Sequence, residues 1–197
     1  MMQKERYEWV QSWCDEAYKD DLPRVLLVGD SITRGYESAV RKMLAGKCYV
    51  DYIATSYAAD NKLYSVLVEN FVANSRYDVI HFNHGLHGFH MSPRTYRSKL
   101  KKLLERIGKE AKIILAESTA VYHEGNKRLK RDCMKRVNER NEIVAELVTE
   151  LDCGWDKLYE VSVEMPKEYR YQDGVHYLET GYEVLAKTVV KSIEEVL

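Results

Sequence analysis

Short apolar runs alternate with stretches of helical spacing along most of the chain, and this alternation is the strongest constraint on its fold. Five runs are predicted to be strands: RVLLVG (24–29), CYVDYIA (48–54), YDVIHFN (77–83), KIILAE (112–117) and the less regular WDKLYEVS (155–162). Helices are predicted at about 3–19, 37–45, 61–74, 94–108, 127–150 and 179–196. We therefore expect right-handed βαβ units and an α/β fold, a three-layer α/β/α sandwich with a mainly parallel sheet of about five strands.

The composition indicates one domain and a small partner. A chain of 197 residues with 45% apolar side chains can bury one full core, so we expect a single domain over residues 1–197 with the helix at 3–19 packed on it. The 30 Lys and Arg residues nearly balance the 31 Asp and Glu residues, which argues against nucleic acid or a membrane surface as partner. The basic run at 127–140 is interpreted as a solvated helix face.

The N-terminal sequence and the cysteines favour a cytoplasmic location. MMQKERYEWVQSW carries charges where a signal peptide needs an unbroken apolar run, and no stretch of the sequence reaches transmembrane length. Cys14, Cys48, Cys133 and Cys153 are scattered without a CxxC pair, which is typical of reduced thiols rather than of a disulfide framework or a structural zinc.

Polar residues follow the predicted strands, at the edge of the sheet where α/β proteins bind ligands. Ser31 comes directly after Gly29 and Asp30 at the end of the first run, and Asp173 and His176 lie near the C-terminus. A serine at a strand-to-helix turn with a late Asp and His has the chain order of an acyl-transfer triad. Alone, a Gly-Asp-Ser turn is also a common helix N-cap and DGVH is often only a turn, but together they indicate a catalytic site.

In such a triad each of the three residues has its own task. Gly29 permits a backbone conformation that side chains forbid, so the Ser31 hydroxyl is expected above a helix N-terminus, beside a developing oxyanion. His176 would accept the hydroxyl proton and later return it to the leaving group. Asp173, three residues earlier, would hold the other ring nitrogen in the correct tautomer.

The two clearest motifs resemble those of the GDSL or SGNH hydrolases. VGDSITRGY (28–36) is similar to the first block of that family, and Asp173 to His176, followed by LETGYEVLA, is similar to its last block. The resemblance runs in the right order from about residue 24 to the end of the chain. It implies a flavodoxin-like fold and serine esterase or lipase-type chemistry on carboxylic esters, with no metal or organic cofactor.

Two other blocks depart from the family pattern. The family usually has a glycine whose backbone N–H helps to form the oxyanion hole, and SYAADN has Ala59 in that place. The family pattern Gly-x-Asn-Asp corresponds to Gly85 and, at the asparagine position, to His87. Because an imidazole carries an N–H donor in either protonation state, the resemblance implies an oxyanion hole of the Ser31 and Ala59 N–H groups with the His87 side chain.

Four of the six histidines stand at intervals of three in HFNHGLHGFH (81–90), which raises the alternative of a metal site. Zinc ligands must converge on one point, whereas strand positions three apart face opposite sides of a sheet. We therefore expect no metal there. Possible substrate-pocket residues near the predicted strand ends are Asp30, Asn83, His84 and Tyr57.

The sequence thus predicts a serine hydrolase that acts on short acyl esters, such as acetyl groups on a carbohydrate or another small molecule, through an acyl-enzyme. Two alternatives stay open. One is a non-catalytic ligand-binding protein on the same fold, because two of the four blocks are altered, and the other is a histidine-dependent metalloenzyme. The intact Ser31, Asp173 and His176 favour the hydrolase.

Overall fold

A computed structural model describes residues 4–126 and 128–197, which form a six-stranded sheet between two layers of helices. The strands are β1 (Val10–Trp13), β2 (Arg24–Gly29), β3 (Tyr49–Thr55), β4 (Val79–Asn83), β5 (Lys112–Ala116) and β6 (Gly154–Asp156). The helices are α1 (Ser31–Met43), α2 (Lys62–Ala73), α3 (Pro93–Ile107), α4 (Arg131–Leu151), α5 (Leu158–Glu164) and α6 (Glu179–Glu194), with 3₁₀ turns at Glu124–Asn126 and Lys167–Tyr169. No helix of the described ranges has both the length and the apolarity needed to cross a membrane.

The strand order places the end of β2 at a crevice. The sheet runs β1-β3-β2-β4-β5-β6 and is parallel except for β1, which pairs antiparallel with β3. The chain passes from β2 outward to β3 and then returns across β2 to β4, so the connections leave β2 in opposite directions. Such a reversal opens a crevice at the carboxyl ends of the strands. Ser31 follows β2 directly and therefore lies beside this crevice.

Both faces of the sheet are covered by apolar helix faces. In β2, Leu26 and Val28 pack in the core formed with α2, α3 and α4, whereas Val25 and Leu27 pack in the core formed with α1 and α6. This alternation follows from the two-residue period of a strand, and every residue of β2 is buried, as in the centre of a parallel sheet. The predicted three-layer α/β/α fold is confirmed, with six strands where about five were expected.

The helix predicted at 3–19 is wrong over the described residues 4–19, and residue 3 lies outside the described part of the chain. The segment contains β1 at the edge of the sheet, with Val10 opposite Thr55 of β3. After β1, the Arg24 guanidinium donates to three carbonyls that a helix would use for its own hydrogen bonds: those of Asp15 (2.7 Å), Glu16 (3.2 Å) and Lys19 (2.9 Å). Glu16 also has a φ of 44°, outside the right-handed helical region.

Two other predicted boundaries change. The last predicted strand, 155–162, is extended only at its start, where β6 spans Gly154–Asp156, and Leu158–Glu164 forms α5 instead. Leu158 and Ser162 are both fully buried and lie four residues apart, which is the spacing of one helix face. Position 127, where the fifth predicted helix begins, lies outside the described residues, and α4 begins at Arg131.

Candidate active site

Asp30 shapes the turn that presents Ser31. Its buried carboxylate caps α1 by accepting a hydrogen bond from the Ile32 N–H at 3.0 Å, so the helix begins at Ser31, six residues before the predicted start at 37. The second carboxylate oxygen accepts from the Leu86 N–H at 3.2 Å, which ties this turn to the loop after β4. Asp30 was predicted as a pocket residue, but it is fully buried and holds the turn from behind.

Gly29 is required by space rather than by an unusual backbone angle. A side chain at this position would overlap Thr33 and the carbonyl oxygen of Asn83 on the neighbouring strand. Gly29 is not among the residues with positive φ, so the expectation that it adopts a conformation forbidden to side chains is wrong. The close approach of β2, β4 and α1 brings the Ser31 turn against the end of β4.

Ser31, His176 and Asp173 form one chain of hydrogen bonds. His176 Nε2 lies 2.8 Å from Ser31 Oγ, although the two residues are 145 positions apart, and His176 Nδ1 lies 2.6 Å from Asp173 Oδ2. With a carboxylate at Nδ1, the neutral ring carries its hydrogen there and leaves a lone pair on Nε2 facing the hydroxyl. The structure thus brings together the three residues that were predicted as the triad.

Asp173 is held in its charged form. Burial raises the pKa of its carboxyl group, but hydrogen bonds from the His176 ring and from the N–H groups of His176 and Val175 outweigh burial, so the pKa lies below its usual range. Both backbone hydrogen bonds reach Oδ1 at 2.9 Å. The carboxylate therefore stays charged at neutral pH and can stabilise an imidazolium at His176.

The loop that carries Asp173 and His176 is fixed by the segment after β5. The N–H of Tyr122 donates to the carbonyl of Gly174 at 2.7 Å, and the N–H of Tyr171 donates to the carbonyl of His176 at 2.8 Å. Gly174 has a φ of 79°, and a side chain there would overlap the Tyr122 carbonyl. Glycine is therefore needed both for the turn and for the contact.

The loops after β3 and β4 meet beside the Ser31 turn. Ala59 lies in a tight turn closed by a hydrogen bond of 2.8 Å from the Asn61 N–H to the Ala58 carbonyl. Ala58 packs against Gly88 in the loop after β4, close to His87. The loop bearing Ala59 and the loop bearing His87 are thus in contact, at the same end of the sheet as Ser31.

The four regularly spaced histidines contact four different partners. These contacts are His81 Nε2 to Asp156 Oδ2 (2.8 Å), the His84 ring to the Tyr64 ring (centroids 4.5 Å apart), His87 Nδ1 to Glu5 Oε1 (2.6 Å) and His90 Nε2 to Asp60 Oδ2 (2.9 Å). Within residues 4–126 and 128–197, no three His, Cys, Asp or Glu side chains are grouped as metal ligands would be. The even spacing in the sequence therefore does not produce a shared site in the described structure.

Known proteins match this chain in fold, whereas searches with its sequence find no match. No protein-family model matches the chain, and no curated protein matches it. A lipase/acylhydrolase from Enterococcus faecalis is 20% identical with a TM-score of 0.68, over 88% of this chain and 96% of that one. A GDSL-like lipase from Bacteroides thetaiotaomicron is 16% identical with a TM-score of 0.72, over 88% and 89%. The chain has the SGNH-hydrolase fold.

A further structure with this fold is the acetylxylan esterase from Geobacillus stearothermophilus. It is 15% identical to this chain with a TM-score of 0.69, and the match covers 87% of this chain and 94% of the esterase. The match therefore includes most of the length of both proteins.

Three further residues that were predicted for the substrate pocket are buried or half-buried. Asn83 and His84 are 2% and 4% exposed, and Tyr57 is half-buried against the core beneath α2 and α3. Asn83 Nδ2 and His84 Nε2 have no hydrogen-bond partner within the described residues. Their place in the substrate pocket stays a prediction.

Arg140 on α4 is a site residue that sequence reasoning missed. Its side chain is buried and donates to the carbonyls of Gly85, His87 (2.6 Å) and Gly88 (2.7 Å), and it packs on the Tyr96 ring with 4.4 Å between the guanidinium carbon and the ring centroid. The reading of 127–140 as a solvated face is therefore wrong at this position. Helical spacing could have predicted the burial of Arg140, because the apolar residues Val137 and Val144 lie three positions before it and four after it, on the same face of the helix.

The burial of His84 predicts an acid-sensitive fold. Burial lowers the pKa of His84 to about 4 from 6.5, and the negative charge of Asp30 only partly opposes this effect. The unfolded chain therefore binds a proton that the folded chain rejects, so this contribution to stability is complete above pH 6.5 and is lost as the pH falls towards 4. We expect it to remove on the order of 2 kcal/mol between pH 6.5 and pH 5.

His84→Phe tests this prediction, because the aromatic ring can still stack on Tyr64 but cannot titrate. Urea unfolding at pH 7 and at pH 5 should show a smaller loss of unfolding free energy in the variant than in the parent protein. Equal losses in the two proteins would contradict the assignment of this acid sensitivity to His84.

Proposed function

We propose that this protein is a serine-dependent hydrolase of carboxylic esters that works through an acyl-enzyme. The observation that carries the proposal is the hydrogen-bonded chain from Ser31 through His176 to Asp173 at the crevice of the sheet. The SGNH-hydrolase fold supports it, since lipases and an acetylxylan esterase share that fold. Among the structures of that esterase, two are catalytic mutants in which a serine or a histidine is replaced by alanine.

The chemistry needs only the residues of this chain and water. Ser31 Oγ bonds to the ester carbonyl carbon while its proton passes to His176 Nε2, and the carbonyl π electrons move to the oxygen. When the C=O bond re-forms, the alcohol oxygen leaves and takes the proton from His176. Water then attacks the acyl-enzyme in the same way, giving its proton to His176, and Ser31 leaves with that proton as the carboxylic acid is released.

Three donors are proposed for the oxyanion: the N–H groups of Ser31 and Ala59 and the side chain of His87. Ser31 is the first residue of α1, so its N–H has no partner inside the helix. The positive end of the helix dipole also stabilises a negative charge at this position. The contact between the loops of Ala59 and His87 supports their assignment to one site. Donors fixed before the reaction stabilise the developing charge without having to reorganise.

Short acyl esters of a polar alcohol, such as acetylated carbohydrate, are the proposed substrates. A cleft of about 430 Å³ lies between the N-terminal residues and the loops after β3 and β4. Its lining includes the polar side chains of Lys4, Glu8 and His90, which suit a polar alcohol better than a long acyl chain. A cytoplasmic location is part of the proposal, and the four free thiols are consistent with it.

Labelling with a fluorophosphonate tests the proposed function, because this probe bonds to a serine that an adjacent base has activated. We expect stoichiometric labelling of the native protein, with the label mapped to Ser31 by peptide mass spectrometry, and none in Ser31→Ala. Ser192→Ala is a matched control, since the Ser192 hydroxyl donates to the Val189 carbonyl within α6 and its loss should leave labelling unchanged.

Absence of label at Ser31 in the folded protein would contradict the hydrolase and favour a ligand-binding role on the same fold. A panel of esters with acyl chains of increasing length then tests the substrate class. Turnover should be highest for acetyl esters and fall as the chain lengthens, and a preference for long chains would contradict the proposed substrate.

A further inference from the structure

The residues before β1 lie over the active-site end of the sheet. We call residues 4–9 the N-terminal strap. Because β1 is antiparallel to β3 and its first residue, Val10, is opposite Thr55, the strap continues past the carboxyl end of β3. The Trp9 carbonyl accepts from the Thr55 hydroxyl (2.7 Å) and the Ser56 N–H (3.2 Å), and its N–H donates to the Ser56 hydroxyl (2.9 Å). These bonds fix the strap against the loop after β3.

Glu5 in the strap binds the ring of His87. Its Oε1 lies 2.6 Å from His87 Nδ1, and the His87 side chain is only 14% exposed whereas that of Glu5 is 45% exposed. Arg140 binds the His87 carbonyl, so both the backbone and the ring of this residue are held. A residue 82 positions away in the sequence thus determines which ring nitrogen faces the strap.

This contact decides which atom of His87 can donate. A carboxylate only accepts hydrogen bonds, so the hydrogen of a neutral His87 ring lies on Nδ1 and is used by Glu5. Nε2 then carries a lone pair and would repel an oxyanion. Only the imidazolium, with hydrogens on both nitrogens, binds Glu5 through Nδ1 and still offers an N–H at Nε2.

We propose that Glu5 is a positioning residue that holds His87 as a cationic donor for the oxyanion hole. The assignment rests on the proposed ester hydrolysis. A cation in this place compensates the negative charge of the tetrahedral intermediate more fully than the neutral asparagine expected from the family pattern, because hydrogen bonds from charged donors are stronger.

The surroundings of His87 accommodate one positive charge. Its ring faces Glu5 from the strap and lies 6.1 Å from the His84 ring, which burial keeps neutral. The other charged groups near this loop are Asp30 behind Leu86 and Arg140 from α4, while Asp60 from the loop after β3 is paired with His90. The nearest carboxylate, that of Glu5, therefore offsets the repulsion from Arg140.

The proposal has a kinetic consequence in pH dependence. His176 must be neutral to accept a proton, so the rate rises with pH on the acid side. His87 must be protonated to donate, so the rate falls again as the pH rises and His87 loses its proton. The two requirements together give a bell-shaped profile, whereas an asparagine donor would give no alkaline limb of this origin.

Glu5→Gln is the sharpest test, since glutamine keeps the acceptor oxygen for Nδ1 but removes the charge. We expect kcat to fall about three- to tenfold on the alkaline limb, with little change in KM or in the acid limb. In a His87→Asn background the same change should have no effect, because that donor has no proton to lose. Glu69→Gln removes an equal charge from the remote pair with Arg106 and should leave the profile unchanged.

A profile of Glu5→Gln that superimposes on the parent profile would overturn the proposal. An equal effect in the His87→Asn background would also overturn it, because Glu5 would then act through the strap as a whole. NMR of the His87 ring nitrogens at one neutral pH needs no turnover, and Glu5→Gln should shift their resonances away from the imidazolium position. An inactive parent protein that shows this NMR shift would refute the hydrolase but support the positioning by Glu5. An active protein without the shift would support the hydrolase and refute the positioning by Glu5.

Discussion

Ser31→Ala is expected to lower kcat on an activated acetyl ester by at least about 10⁴-fold, the scale of loss when a triad nucleophile is removed. The acyl-enzyme cannot form without Oγ, so only attack by water assisted by the oxyanion donors is left. The fold should be unchanged, because Asp30, not the Ser31 side chain, caps α1. Measurement of kcat by stopped assay, beside the thermal unfolding midpoint, separates the two effects.

The triad should also behave as one unit. His176→Ala is expected to cost about as much as Ser31→Ala, and the double variant should be no slower than either single variant, because each change already prevents nucleophilic attack. Ser192→Ala should retain full activity. A Ser31→Ala protein that keeps more than about 1% of the parent rate would remove Ser31 from the mechanism.

Asp173→Asn is expected to lower kcat by about 10⁴-fold through a change of tautomer. In the parent protein, Oδ1 accepts from the Val175 and His176 N–H groups, and Oδ2 faces His176 Nδ1. The asparagine carbonyl must occupy the first position, so its NH₂ group would point at Nδ1 and force the ring hydrogen onto Nε2. His176 could then no longer accept the proton of Ser31.

The rate of fluorophosphonate labelling should fall in parallel with kcat in Asp173→Asn, because labelling requires the same proton transfer. Asp132→Asn is a suitable control, since it removes an exposed carboxylate from the first turn of α4. Activity within about tenfold of the parent protein in Asp173→Asn would assign Asp173 to the turn alone and not to the orientation of His176.

The sequence predicted those elements whose pattern follows from their own burial. β2 and β4 are buried throughout and consist mainly of apolar residues, so their limits were close to those observed. The edge strand β1 is exposed along its whole length and has no such pattern. Its conformation depends on pairing with β3, a contact with residues far along the chain that local spacing does not encode.

The same distinction applies to the site. Ser31, Asp173 and His176 were predictable because strand ends and chain order identify them, and the structure joins them by direct hydrogen bonds. Glu5 and Arg140 were not predicted, since each acts by contact with the loop after β4 from a distant part of the sequence. A motif indicates which side chains react, whereas the residues that orient them have no motif of their own.

The contacts of Arg140 and Asp30 have a mechanical consequence. Arg140 binds the carbonyl of Gly85, and Asp30 accepts from the N–H of Leu86, so one peptide group joins a buried cation to a buried anion. The pair amounts to a salt bridge with an amide inserted between its partners, each charge polarising that amide in the same direction. The planar peptide group between Gly85 and Leu86 therefore connects the Ser31 turn and the loop of His87 to α4. We expect these three parts of the structure to move together.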